Sequence, residues 1–481
     1  MAISTLLPGN RTRRRWPKAL RTLLPTLAAA TAVYVSAGAA KPSFPVSAVS
    51  SAQASSPTAS TVSLPATVPG AQARWLLGAL AHLPIPVASI EAHFDAAFLA
   101  QVTPAQLNSA AEQIGPLRLL SVMTSQPEDI VLLAESANST QFKVTLAVDG
   151  KGLIDGLLFQ PETSSVVPTT WAGVDALVRS VAPRVHLLVA RISAGACLPV
   201  HSIDPGSPAP LGSAFKLYVL DALARAVASG RARWDEKIAL TSQVKSLPSG
   251  QLQNDPTGTR LSVLQVATDM ISISDNTAAD MLIGLVGRSA VEAATGSSGM
   301  ADPHLDVPFL KTRELFVLKL DDWPHLANEY LSLNSTADRL AFLTRTIDRD
   351  PLPPLAAASA WTAPRDIDFL EWFASANDIC RAYASLQAAA SHPALANVAR
   401  VLEVNDGGLG LPTSQWKSVW FKGGSEPGVL TLNYLATTLT GQTYVVSILT
   451  ENPVAPIAES SAALKLLGAI KGAFLLAARL A

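Results

Sequence analysis

Two groups of β-rich runs stand at opposite ends of residues 170–481, and nothing else in the chain constrains its fold as much. VHLLVARIS (185–193) and CLPVHSID (197–204) open the stretch. WKSVWFKGG (416–424), VLTLNYLATTLT (429–440) and TYVVSILT (443–450) close it, with glycine-containing turns between them. The residues between the two groups are patterned mostly as helices. The expected product is one α/β-type domain whose sheet joins its own start to its own end. Residues 459–481, ESSAALKLLGAIKGAFLLAARLA, form an apolar helix interrupted by Lys465, Lys471 and Arg479. That charge pattern predicts packing on the sheet rather than membrane contact.

A chain of 481 residues is too long for one ordinary core, so a second folded domain is expected. It falls at residues 71–165. ARWLLGALAHL and ASIEAHFDAAFLAQV have helical patterning, and Thr103 precedes PAQLNSAAEQI with proline at the first helical position. The period then changes. LRLLSVMTS, DIVLLAES, QFKVTLAV and LIDGLLFQ read as strands, the last two joined by a hairpin turn at Asp149-Gly150-Lys151-Gly152. Helices followed by an antiparallel meander make a small α+β unit. It carries no motif tied to chemistry. SSVVPTT (164–170) is a short linker to the larger domain.

The first 70 residues differ in kind. RTRRRWPKALR (11–21) carries six cations and no acid, and the apolar run TLLPTLAAATAVYVSAGAA follows, ending in Ala37, Gly38, Ala39 and Ala40. A basic region, an apolar region and a small-residue end predict an export signal over residues 1–40, Sec-type or twin-arginine. Pro25 and the scattered Thr and Ser favour cleavage over an uncleaved anchor, which leaves no stable transmembrane span. Residues 41–70, rich in Ser, Ala, Pro and Thr, read as a disordered linker. The net charge of −1 offers no footprint for nucleic acid. The two cysteines, Cys197 and Cys380, could pair in an oxidising compartment. Nothing in their spacing requires it, and two separately buried thiols are the expectation. No histidine or cysteine spacing fits a metal site, and no cofactor is indicated.

Three Ser-x-x-Lys patterns occur: Ser213–Lys216, Ser242–Lys245 and Ser414–Lys417. The second lies in a polar stretch. The third opens a strand, where side chains three apart face opposite ways. Only the first starts a convincing helix, where positions i and i+3 share a face. A serine becomes a nucleophile when a base removes its proton, and a lysine can be that base if burial or a neighbouring cation lowers its pKa. Alone, the pattern reads as a helix cap at Ser213 with Lys216 a solvated side chain. Ser274-Asp275-Asn276 lies between two apolar helical runs, and Lys422-Gly423-Gly424 ends a strand. Each has its own ordinary reading, a cap cluster and a β-turn.

Taken in this order on helix, loop and strand, S-x-x-K, S-D-N and K-x-G make the chain resemble the class A β-lactamase and penicillin-binding-protein superfamily of serine hydrolases. The likeness covers roughly residues 180–475 and extends through LGSAFKLYVLDAL and LSVLQVATDMISISDNTAADMLI. It implies an antiparallel sheet flanked by helices plus an all-helical subdomain. It also implies a Ser213 acyl-enzyme, Lys216 as general base, Ser274 as proton relay to a leaving nitrogen and Asp275 holding the loop. Asn276 would bind a substrate amide and Lys422 a carboxylate. Gly423 and Gly424 would line the substrate, and the oxyanion would sit between the backbone N–H groups of Ser213 and Ser425. The small domain ahead of it resembles cystatin-like or steroid-isomerase-like units. Gly423 stands where the family has a hydroxyl, which Ser425 would partly replace. The family's Glu-x-x-x-Asn loop is missing, Asp306 and Glu314 being the nearest carboxylates, and an insertion is expected near residues 300–360. These points imply an exported hydrolase of small-molecule or peptidoglycan-like substrates: β-lactams, D-amino-acid peptides or esters. The rival is a non-catalytic cell-envelope binder.

Overall fold

A computed structural model describes residues 63–99, 102–137, 141–162, 167–247 and 249–479. The expected export signal and most of the expected linker lie outside the described residues. The described residues form two compact units that divide between Phe159 and Gln160, a few residues before the expected boundary.

In the first unit, α1 (Val68–Leu80) begins inside the stretch read as linker. Thr67 caps it by accepting the Gly70 N–H, and Pro69 sits in the first turn, where no N–H is missed. The run 88–102 is not one helix. It breaks at Phe94-Asp95 after α2 (Val87–His93), where Phe94 bridges Ile154. Helix α3 (Pro104–Ile114) has a full capping box between Thr103 and Gln106. Four strands follow: β1 (Leu117–Ser125), β2 (Asp129–Ser136), β3 (Gln141–Val148) and β4 (Ile154–Glu162), in that order across the sheet. Asp149 closes the last turn by accepting the Lys151 and Leu153 N–H groups. Ile130, Leu132 and Ala134 alternate with half-buried neighbours, so one sheet face packs on Ala73, Leu76 and Leu80 of α1.

The second unit is built on a five-stranded antiparallel sheet. Its members are β5 (Arg184–Ser193), β6 (Ala196–Ile203), β7 (Trp416–Glu426), β8 (Val429–Thr438) and β9 (Thr443–Glu451). The order is β7-β8-β9-β5-β6, so β9 pairs with β5 and joins the two ends of the domain as expected. Both faces are covered, which is why the central strands are almost continuously apolar. Leu187, Val189, Val446 and Ile448 face a layer that includes Leu466, Ile470, Ala473 and Phe474 of the last helix, Glu459–Ala478. That helix is long and apolar enough to span a membrane by composition, but half of that span is buried. Beside it packs α4 (Trp171–Arg179), capped by Thr170, which the sequence reading missed. Its one-turn stripe of Val174 and Val178 is too short to stand out as periodic.

The other face, with Leu188, Ala190, Trp420 and Val445, meets the helical layer. Three of its helices matter most: α5 (Lys216–Ala228), α6 (Val263–Ser272) and α7 (Asn276–Val286). Residues 300–360 add further short helices, including α8 (Thr312–Leu320), before α9 (Ala376–Ala390) returns to the sheet. The last helix of the chain is α10. An antiparallel sheet flanked by helices, with a largely helical region and a small α+β unit ahead of it, is the architecture expected. The cysteines depart from expectation. Cys197 on β6 and Cys380 on α9 form a disulfide. They are 183 residues apart in sequence, so no local spacing could have signalled the pair.

Candidate active site

Ser213 does not cap a helix. It lies in a 3₁₀ turn, Gly212–Phe215, that leads directly into α5, and neither helix start has a side-chain cap. In the stretch 211–220 every residue is buried except Ser213, so its hydroxyl is the one point of access. Lys216, fully buried one turn on, brings Nζ to 2.9 Å from Ser213 Oγ. The same Nζ donates to Ser274 O and Asn276 Oδ1, each at 2.6 Å. A neutral amine has two N–H bonds and one lone pair. The two carbonyl oxygens take the N–H bonds and leave the lone pair for the serine proton. Burial, then the nearby Lys422 ammonium, hold the Lys216 pKa well below that of an ordinary lysine.

Ser274 sits at φ 58°, a left-handed conformation that a side-chain-bearing residue adopts at a cost of order 1–3 kcal/mol. This conformation places its hydroxyl between two lysine amines, 3.2 Å from Lys216 Nζ and 3.0 Å from Lys422 Nζ. Asp275 is both things it was read as. It caps α7 by accepting the Ala278 N–H at 2.8 Å, and it holds the neighbouring loop by accepting the Gln251 and Leu252 N–H groups. Asn276 is more occupied than a substrate-binding amide alone would be. Its Oδ1 receives Lys216 and its Nδ2 donates to Leu247 O, which leaves one N–H.

Lys422 is buried on β7, its Nζ donating to Gly423 O at 2.6 Å as well as to Ser274. Burial lowers its pKa to about 7. The glycines after it serve the protein's own backbone. A Cβ on Gly424 would lie 2.5 Å from Ser213 N, and one on Gly212 would lie 2.8 Å from Ser425 N. β7 and the nucleophile turn therefore pack backbone to backbone, and the N–H groups of Ser213 and Ser425 belong to adjoining segments. Two N–H groups so placed can stabilise an oxyanion.

The decoys separate cleanly. Lys245 is spent on Gln253 O and Asp255 O, and Ser414 and Lys417 are both exposed. The two carboxylates nearest the missing loop are both buried. Asp306 is buried and accepts the Phe373 N–H, while Glu314 is fully buried between Arg288 and Lys311. Sequence reasoning missed two groups. Glu371 accepts the N–H of Trp372 and that of Gly212, beside the nucleophile, and pairs with Glu426, which lies 2.6 Å from Lys319. Burial raises both carboxyls, Glu426 to about 8, with Lys319 pulling the other way. The second is Glu459, whose Oε1 accepts Ser425 Oγ at 2.7 Å. No motif marks either, because their partners are distant in sequence.

Comparison with known proteins agrees with the likeness read from the motifs. Residues 174–366 match the model of the beta-lactamase enzyme family, and residues 64–154 match that of the ORF 12 gene product N-terminal domain. A separate N-terminal domain thus precedes a beta-lactamase-like region. The first match contains Ser213, Lys216, Ser274 and Asn276 and ends before Lys422. Among solved structures, a beta-lactamase from Sphaerobacter thermophilus DSM 20745 is 24% identical, over 65% of this chain and 98% of that one, with a TM-score of 0.45. The structure of PBP-A is 18% identical, over 63% and 96%, at 0.42. A beta-lactamase from Chitinophaga pinensis DSM 2588 is 15% identical, over 64% and 98%, at 0.42. No curated protein matches the chain.

Proposed function

From a beta-lactamase-like region that carries a buried lysine against a serine, we propose that the protein is an exported serine hydrolase acting through an acyl-enzyme on Ser213. The observation that carries this is the 2.9 Å approach of Lys216 Nζ to Ser213 Oγ, with the other N–H partners of the amine already fixed. Ser213 Oγ attacks the carbonyl carbon and its proton passes to Lys216. The Ser213 and Ser425 N–H groups hold the oxyanion. The C–N or C–O bond then breaks, and the proton reaches the leaving atom through Ser274, which touches both lysines. Water later cleaves the acyl ester. β-Lactams, D-amino-acid peptides and esters all suit this sequence of steps. Export is supported by the Cys197–Cys380 disulfide, since such bonds persist in oxidising compartments.

Slow deacylation is favoured by a specific observation: Asp306 and Glu314 are both buried, Asp306 against the Phe373 N–H and Glu314 between Arg288 and Lys311, so neither is exposed to activate water. Intact-mass spectrometry with a fluorescent penicillin tests both points. The expected result is a stoichiometric adduct on the wild-type protein, absent in Ser213→Ala, that persists for minutes. No adduct would favour a non-catalytic envelope-binding protein, and loss of the adduct within seconds would refute impaired deacylation.

A further inference from the structure

The surroundings of Ser425 have the wrong charge for a site that prefers carboxylates. β7 alternates, so Ser425 shares a face with Gly423, which contributes no side chain. Across the ladder from these two stand Leu430 and Leu432, neither able to attract an anion. Lys422 faces the other way, toward Ser274. Glu426 is neutralised by Lys319. What remains beside the exposed Ser425 is Glu459, the first residue of α10, half-buried, with one carboxylate oxygen on Ser425 Oγ and no Lys or Arg paired with it among the described residues. Ser425 is also the residue whose N–H adjoins the nucleophile turn. A charge held there acts on whatever a substrate carries next to its reacting carbonyl.

Building on the Ser213 acyl-enzyme reading, we infer that Glu459 is a specificity-determining residue that disfavours acyl donors with a carboxylate beside the scissile bond and favours esters or amides that are neutral or carry an ammonium there. A like charge at short range in a partly desolvated site repels, and such repulsion is how sites exclude a partner without new contacts to the preferred one. Burial raises the Glu459 carboxyl above its ordinary range, and the hydrogen bond from the Ser425 hydroxyl partly offsets this.

The test uses benzylpenicillin and its methyl ester, which differ only in that carboxylate, at pH 7, with Ser213 acylation rates read by intact mass. In the wild-type protein the ester should acylate Ser213 at least tenfold faster than the free acid. Glu459→Gln should shrink that preference about tenfold, and Glu459→Lys should reverse it. A wild-type protein that prefers the free acid overturns the inference without any variant. So does an unchanged ratio in both Glu459 variants. Absence of a Ser213 adduct with either probe would instead defeat the acyl-enzyme reading, and this inference with it.

Discussion

Lys216 and Lys422 lie on either side of the Ser274 hydroxyl, and their protonation states are coupled through it. The base must be neutral to accept the Ser213 proton. Its pKa is lowered by burial and then by Lys422, so acylation should rise with pH through that lowered value and level off above it. Removing the Lys422 charge in Lys422→Met makes protonation of Lys216 easier and raises its pKa. The acid limb for a neutral probe such as p-nitrophenyl acetate should then move to higher pH, by roughly one unit if the two charges interact as closely placed buried groups do. A limb that stays in place would show that Lys216 is not the titrating base. At this scale the sequence marked Ser213, Lys216, Ser274 and Lys422 because each stands in a short pattern whose spacing itself carries the chemistry. It did not show that Asn276 spends its carbonyl on Lys216, nor that Glu459 reaches Ser425. Those depend on which loops meet, and no spacing encodes that.

The elements position these groups by an unusually close approach. β7 runs along the 3₁₀ turn before α5, and the glycines on each side leave no room for a side chain. Gly212 also sits at φ 49°, which costs glycine little and other residues more. Gly424→Ala would put a methyl carbon against Ser213 N and the Leu211 carbonyl, so strand and turn must separate. Since the Ser213 and Ser425 N–H groups straddle that contact, the second-order rate of Ser213 acylation should fall about 100-fold, the scale of losing one oxyanion donor. The far-UV circular dichroism should be retained, and an unaltered rate would count against this reading of the oxyanion site. The Lys-Gly-Gly stretch was read as bringing the backbone of Gly423 and Gly424 alongside the substrate. The approach is real, but its first partner is the protein's own nucleophile turn. The five strands and the last helix were legible because alternation and buried runs are local. The helix at 171–179 and the break at Phe94 were not, since a short helix depends on caps and on the neighbour it packs against.

In the larger unit as a whole, the sheet and the helical layer are joined by α9. Its Tyr383 hydroxyl donates to Asn433 O on β8, its Gln387 donates to Thr443 on β9, and its Cys380 is bonded to Cys197 at the opposite sheet edge. One helix therefore ties three strands, and the covalent tie closes a loop of 183 residues that includes Ser213, Ser274 and most of the helical layer. In the chain-entropy account a loop of that length restricts the unfolded state by ~5 kcal/mol. Strain and residual unfolded structure usually reduce this to about 2–4 kcal/mol, or roughly 3–6 °C in Tm for a domain of this size. Cys197 lies on an edge strand away from β7, so the effect belongs to stability rather than to chemistry. The double variant Cys197→Ser/Cys380→Ser should melt about 5 °C lower by calorimetry, and reduction of the wild-type protein with dithiothreitol should reproduce the drop. Its rate of Ser213 acylation at 25 °C should stay within twofold. A variant that melts like the wild type would mean that the helical layer is held to the sheet by packing alone. Loss of acylation in a folded variant would place the disulfide in the support of the site.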